Sequence, residues 1–201
     1  MSYDYRWTLI NNTVIHPTPL YIFCGGGSRR LGRDKALIEL DGETLLERQV
    51  RRAFPFFDQI ILLSGSNHYD TPNRQIPDVL GNAGPLSGLL AALKDAELHH
   101  QQIAVIPVDV PFLADSTMKI LSEYTLSENT DAATLCAGEV VQPLAGLYKC
   151  NISANLQQWI DGGQRMVMKF LEQLHLEHIR VMENELRNIN FPGDVEKFIR
   201  M

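Results

Sequence analysis

Several features that would each have pointed to a function class are missing or scarce in this sequence. No apolar run approaches the roughly 20 residues that a membrane-spanning helix needs, so no membrane association is expected. There are only three cysteines, Cys24, Cys136 and Cys150, an odd number without CxxC spacing. Neither a disulfide framework nor a zinc site is expected from them, and a reducing, cytoplasmic setting fits best. The six histidines are scattered, with His99 and His100 adjacent in a polar stretch, and form no spaced ligand set. Positive charge is scarce too: 18 Lys and Arg against 24 Asp and Glu leave a formal net charge of −6. A nucleic-acid binder would show a broad basic face, so that class is set aside. The opening MSYDYRWTLINNTVIHPTP lacks the basic start, apolar middle and small-residue cleavage site of a signal peptide. It reads as a short strand or arm over residues 1–19.

What remains is an ordinary globular composition, 45% hydrophobic over 201 residues, enough for one domain with a sizeable core. Short apolar runs at 20–24, 59–63, 103–108, 132–137, 144–149 and 178–182 read as buried strands, several of them ending in glycine, proline or polar residues. Between them lie helical patterns. Thr44 opens LLERQVRRAF, where Leu45, Leu46, Val50 and Phe54 share a face. Gly84-Pro85 opens a helix with an apolar stripe of Leu86, Leu89, Leu90 and Leu93. Asp115 or Ser116 is expected to cap MKILSEY, and QRMVMKFLEQL is expected to be helical after Gly162-Gly163. Ala36 to Leu40 reads as extended before the Asp41-Gly42 turn, and Pro192 as the start of a last short helix. Strands alternating with helices of about a dozen residues predict a three-layer α/β/α sandwich around a mostly parallel sheet. Residues 20–201 are read as a single domain.

One stretch runs against the acidic average. FCGGGSRRLGRDKA, residues 23–36, holds three adjacent glycines, three arginines and a lysine. Backbone freedom together with positive charge suits a small phosphorylated ligand. The dinucleotide fingerprint GxGxxG fails because its third glycine would fall on Arg30. The P-loop GxxxxGK[ST] fails because Arg33-Asp34 separate Gly32 from Lys35, and Ala36 stands where a hydroxyl is needed. A nucleotidyltransferase loop fits: glycines let N–H groups approach phosphate and base, an arginine offers a planar fork, and a lysine supplies a mobile charge. Arg30 and Lys35 are the candidates for those charges. Asp109 follows an uninterrupted apolar run, where a sheet presents ligands at its strand ends, and could hold Mg²⁺ against a triphosphate.

CGGGSRRLGRDKALIELDGETLLER resembles the opening of the molybdenum cofactor guanylyltransferase (MobA-type) family, matching it at Gly25, Gly26, Ser28, Arg30, Gly32, Asp34 and Lys35. Phe23 and Cys24 replace the family's leucine and alanine, and Leu31 its methionine. IPDVLGNAGPLSGLLAAL, VIPVDVPFL, QPLAGLY, GGQRMVMKFLEQL and NINFPGDVEKF are similar to later family segments in the same order, over roughly residues 20 to 200. The resemblance implies a Rossmann-like, GT-A-like nucleotidyltransferase sheet and transfer of GMP from GTP to Mo-molybdopterin with release of pyrophosphate. It implies nucleotide contacts at Phe23, Cys24, Gly25, Gly26, Ser28, Lys35, Ser64, Asp78, Gly84 and Asp109, and pterin contacts at Asn188 and Asn190. Mg²⁺ on Asp109 is the implied cofactor, and pterin-delivery or molybdoenzyme-maturation proteins are conceivable partners. The alternatives are a cytidylyltransferase for the same cofactor, another small-molecule nucleotidyltransferase, or a non-catalytic nucleotide-binding regulator. Gly26 favours guanine, because the resembling cytidylyl enzymes carry alanine there.

Overall fold

The computed structural model describes residues 8–10, 13–15, 17–24, 34–77 and 84–189. Strands β1 (Thr8–Ile10) and β2 (Thr13–Ile15) pair antiparallel as a separate two-stranded ribbon. The main sheet has seven strands: β3 (Leu20–Phe23), β6 (Ile60–Gly65), β7 (Gln75–Pro77), β8 (Gln102–Pro107), β9 (Ala132–Ala137), β10 (Val140–Lys149) and β11 (Leu176–Arg180). Their order is β11-β9-β10-β8-β3-β6-β7, with every pairing parallel except the two made by β10. Helices α1 (Leu45–Ala53), α2 (Pro85–Ala96), α3 (Asp115–Glu123), α4 (Ser153–Asp161) and α5 (Val167–Leu171) lie between strands in the chain, and β4 (Glu39–Leu40) with β5 (Glu43–Thr44) forms a small hairpin ahead of α1. This is the expected sandwich.

Strand alternation builds its two cores. In β3, Leu20 and Ile22 point to the layer of α1 and α3, joining Leu45, Leu46, Met118 and Leu121. Tyr21 and Phe23 point the other way, to Leu86, Leu89, Leu90 and Leu93 of α2 and Leu156 and Ile160 of α4. A strand buried on both faces carries no polar alternation, which is why these strands read as plain apolar runs. Each fully buried aliphatic side chain contributes about 1.5–3 kcal/mol. The Tyr21 hydroxyl, buried in the second core, donates to Asp95 Oδ2 at 2.6 Å, and Arg74 grips the same carboxylate with two hydrogen bonds at 2.7 and 2.6 Å. Burial, then the Asp95 carboxylate, pushes the Tyr21 phenol up, while Arg74 holds Asp95 below the usual carboxylate range.

Local expectations hold in some places and shift in others. Thr44 caps α1 as a capping box, its Oγ1 accepting from the Glu47 N–H while Glu47 accepts from the Thr44 N–H. The Asp41-Gly42 turn has positive φ at both residues, as a tight hairpin turn requires. The extended reading of 36–40 is corrected: Lys35–Leu37 is a 3₁₀ turn, capped by the Asp34 carboxylate on the Ala36 N–H, and only Glu39–Leu40 is extended. Neither Asp115 nor Ser116 is the cap of α3. Ala114 is, and the buried Glu185 accepts from its N–H at 2.8 Å and from the Thr117 hydroxyl at 2.6 Å. A carboxylate at a helix N-terminus is favoured by the dipole whichever part of the chain supplies it.

Strand β10 begins at Val140 rather than Leu144 because the chain turns back at Gly138, with φ +58°, and pairs at once with β9. Its register shifts between Gln142 and Gly146, across Pro143, which has no N–H to give. Gly146 is required there: a Cβ on it would lie 2.1 Å from the Ala133 carbonyl oxygen. The expected helix after Gly163 is confined to Val167–Leu171, because Gln164 to Met166 are not helical and Met166 is extended. Strand β7 and helix α4 are additions to the expected elements, and the helix expected from Pro192 lies outside the described residues. Among the described residues no helix is long and apolar enough to cross a membrane.

Candidate active site

The end of β3 is where the sheet changes direction. From β3 the chain moves outward to β6 and β7, then returns through α2 to β8 on the other side of β3. Open α/β sheets bind ligands at the carboxyl ends of their strands beside such a reversal. The three strand ends are joined by backbone bonds, Val108 N–H donating to the Phe23 carbonyl at 3.0 Å and Cys24 N–H to the Leu63 carbonyl at 3.1 Å.

Two charges meet above this junction. Lys35 Nζ lies 2.6 Å from Asp109 Oδ2, with 21% and 18% of their side chains exposed. Residues separated by 74 positions are thus brought into a charge-assisted pair, sheltered but reachable from solvent. Asp109 Oδ1 makes no hydrogen bond among the described residues. The Asp109 carbonyl accepts from Ile189 N–H at 2.8 Å, so the late segment containing Asn188 runs against Asp109. Asn188 Oδ1 in turn accepts from Gln142 Nε2 at 3.0 Å, which ties this segment to the start of β10.

Lys35 is aimed by its neighbour. Asp34 Oδ1 caps the turn on Ala36 N–H, while Oδ2 accepts from Asn67 Nδ2 at 2.7 Å and from the Tyr69 hydroxyl at 2.9 Å. Three donors from two segments therefore fix the residue before the lysine. Burial, with Asp34 as acceptor, pushes the Tyr69 phenol up, so its hydroxyl stays a donor. Asn67 and Tyr69 did not stand out in the sequence, since a polar run after a strand reads as an ordinary loop.

The remaining expected residues fall as follows. Phe23 is buried with its ring over Gly88 of α2, where a Cβ would come within 2.7 Å of it. Cys24 is 5% exposed, and burial followed by the nearby Asp34 charge pushes its thiol up, so it is a packing residue and not a nucleophile. Gly84 caps α2 with φ +59°, which favours glycine, and a Cβ there would meet nothing within 4 Å among the described residues. The Ser64 hydroxyl is directed to the Ile76 carbonyl of β7 at 3.4 Å. Gly25, Gly26, Ser28, Arg30, Asp78 and Asn190 lie outside the described residues.

No group of three or more His, Cys, Asp or Glu side chains occurs among the described residues to make an all-protein metal cage. A hard cation such as Mg²⁺ does not require one, because it binds through one or two carboxylates plus substrate phosphates and water. Asp109, whose Oδ1 makes no hydrogen bond among the described residues, fits that mode of binding.

Residues 20–179 match the model of the MobA-like NTP transferase domain. The chain belongs to this family. The matched residues take in every strand of the main sheet but for the last residue of β11, and include both Lys35 and Asp109. This MobA-like chain is 29% identical over 179 residues to "Molybdenum cofactor guanylyltransferase" of Shewanella frigidimarina, covering 85% of the chain and 90% of the relative. It is 27% identical over 175 residues to "Probable molybdenum cofactor guanylyltransferase" of Flavobacterium johnsoniae, with the same coverage of 85% and 90%. Among solved structures, molybdopterin-guanine dinucleotide biosynthesis protein A from Archaeoglobus fulgidus superposes with a TM-score of 0.75 at 23% identity, covering 92% of this chain and 100% of that one. That likeness concerns the MobA-like fold.

Proposed function

We propose that this protein transfers GMP from GTP to the phosphate of Mo-molybdopterin, forming the guanine dinucleotide cofactor and releasing pyrophosphate. The observation that carries the reading is the double engagement of Asp109. Its carboxylate pairs with Lys35 of the phosphate loop, and its carbonyl holds Ile189, next to Asn188 on the acceptor side. Donor and acceptor then meet over one residue. The names of the relatives supply the substrates.

In this reading a pterin phosphate oxygen attacks the α-phosphorus of GTP in line. The new P–O bond forms as the bond from α-phosphorus to the bridging oxygen breaks, and the electron pair leaves with pyrophosphate. The nucleophile is already an anion, so no general base is needed. Catalysis comes from positioning and charge neutralisation. Lys35, released from Asp109 by the arriving triphosphate, stabilises charge on the α-phosphoryl oxygens, and the role assigned to Arg30 is to neutralise the leaving pyrophosphate. Mg²⁺ held by Asp109 supplies further neutralisation of phosphate charge when bound. Phe23, Cys24, Gly25, Gly26, Ser28, Ser64, Asp78 and Gly84 are assigned to the nucleotide, and Asn188 and Asn190 to the pterin. Residues 20–201 form the catalytic domain and 1–19 an arm. A cytoplasmic setting accords with three cysteines that are all free and buried. The test is pyrophosphate release from GTP, which should require added Mo-molybdopterin; release that ignores the pterin would remove it as the acceptor.

A further inference from the structure

Gln49 lies in the middle of α1 and is completely buried, 0% exposed, and Leu45, Leu46 and Ala53 of the same helix are buried too. Its Nε2 donates to the Pro107 carbonyl at 3.1 Å and to the Val110 carbonyl at 2.8 Å. These two carbonyls flank Asp109. Its Oε1 is buried without a hydrogen-bond partner among the described residues. Turning the amide over would face Oε1 against two carbonyl oxygens, so the orientation is fixed by what it binds. An unsatisfied buried acceptor costs about 1–3 kcal/mol, which an apolar side chain of the same size would avoid. As a core-filling residue, glutamine is therefore a poor choice.

Its donors explain the choice. The turn after β8 is closed by Val110 N–H on the Pro107 carbonyl at 3.3 Å, and the Asp109 carbonyl is held by Ile189 N–H at 2.8 Å. With Gln49 added, the carbonyls of residues 107, 109 and 110 are all engaged, and the backbone carrying Asp109 is held from α1 on one side and from the late segment on the other. We propose that Gln49 is a positioning residue for the reaction, fixing where the Asp109 carboxylate stands by gripping the backbone on both sides of it. It touches no substrate, and the inference rests on the reading of Asp109 as a catalytic group.

The test is Gln49→Met in the full chain, alone and combined with Asp109→Asn, with pyrophosphate release measured as kcat and KM separately and thermal unfolding followed in parallel. Methionine conserves volume, so the variant should melt within a few degrees of the parent. Misplacing a reacting group by a fraction of an ångström to about 1 Å costs up to about 10²-fold. We expect kcat to fall about tenfold with KM for GTP changed less than about twofold. In the Asp109→Asn background Gln49→Met should change kcat by less than about twofold, because residues acting as one unit are not additive. An equal loss in both backgrounds, or unchanged kcat in folded Gln49→Met, overturns the inference. If Gln49→Met does not fold, Gln49→Asn, which keeps the amide but draws it back by one carbon, takes its place under the same expectations. Normal turnover in Asp109→Asn alone overturns the assignment of Asp109 itself, and is thereby distinguishable from failure of the Gln49 inference.

Discussion

Replacing Lys35 by methionine keeps the stem and removes the charge, and the structure separates the two consequences. The lost ion pair spans 2.6 Å between side chains 21% and 18% exposed. A solvent-exposed pair is worth about 0–1 kcal/mol, and stranding one member of a fully buried pair costs about 3–5 kcal/mol. A partly sheltered pair lies between, near about 1–2 kcal/mol. For a chain of this length each kcal/mol moves Tm by about 2–4 °C, so Lys35→Met should melt about 2–8 °C lower and remain folded at 25 °C. Catalysis should suffer far more. Loss of one aimed electrostatic donor costs about 10²–10³ in kcat, or about 2.7–4 kcal/mol of transition-state stabilisation. The assay is pyrophosphate release at saturating GTP and Mo-molybdopterin, with a melting curve on the same sample. A folded Lys35→Met protein retaining kcat within about threefold of the parent would refute the catalytic role and leave the ion pair as a structural contact.

Tyr69→Phe removes one of the three donors on Asp34; a bond to a charged group is worth about 1.5–3 kcal/mol. Expressed partly as looser placement of Lys35, this should lower kcat about fivefold, the equivalent of about 1 kcal/mol, and unchanged kcat would show that the clamp does not aim the lysine. The Arg74–Asp95–Tyr21 network gives a pH signature. Arg74 lowers the Asp95 pKa in the folded protein, so its stabilisation is complete above the ordinary aspartate range near about 4 and is lost as pH falls through the lowered value. Asp95→Asn should therefore be less stable than the parent at neutral pH, with the gap closing in acid; a gap independent of pH would contradict the assignment.

Legibility in the sequence followed the range of the interaction that decides each feature. Strand β9 was read at its observed bounds and β3 to within a residue, because burial on both faces leaves an uninterrupted apolar run. Thr44 announced α1 because a capping box is a contact between residues three apart. Lys35 and Asp109 stood out as candidates, one by its glycine-rich setting and one by its place after a strand, and the fold brings them to 2.6 Å of each other. Features set by distant partners were not readable. The side chain that accepts from the N-terminus of α3 is Glu185, 71 positions beyond Ala114, and nothing near Asp115 signals it. The Asn67–Tyr69 clamp on Asp34 depends on β6 lying beside β3, and Gln49 reads as a polar helix position until the turn after β8 is folded over it. The antiparallel insertion of β10 is likewise invisible locally, since an apolar strand carries no mark of its direction.

Guanylyl transfer stands or falls on base selection. Guanine presents O6 as an acceptor beside N1–H and N2–H₂ donors, whereas cytosine is smaller and patterned differently. A site that pairs those groups leaves its own polar atoms unsatisfied with the wrong base, which penalises it heavily. The measurement is kcat/KM for GTP, CTP and ATP in pyrophosphate release with Mo-molybdopterin as acceptor. GTP should be preferred by at least about 10²-fold. Equal use of GTP and CTP would contradict the guanylyl assignment.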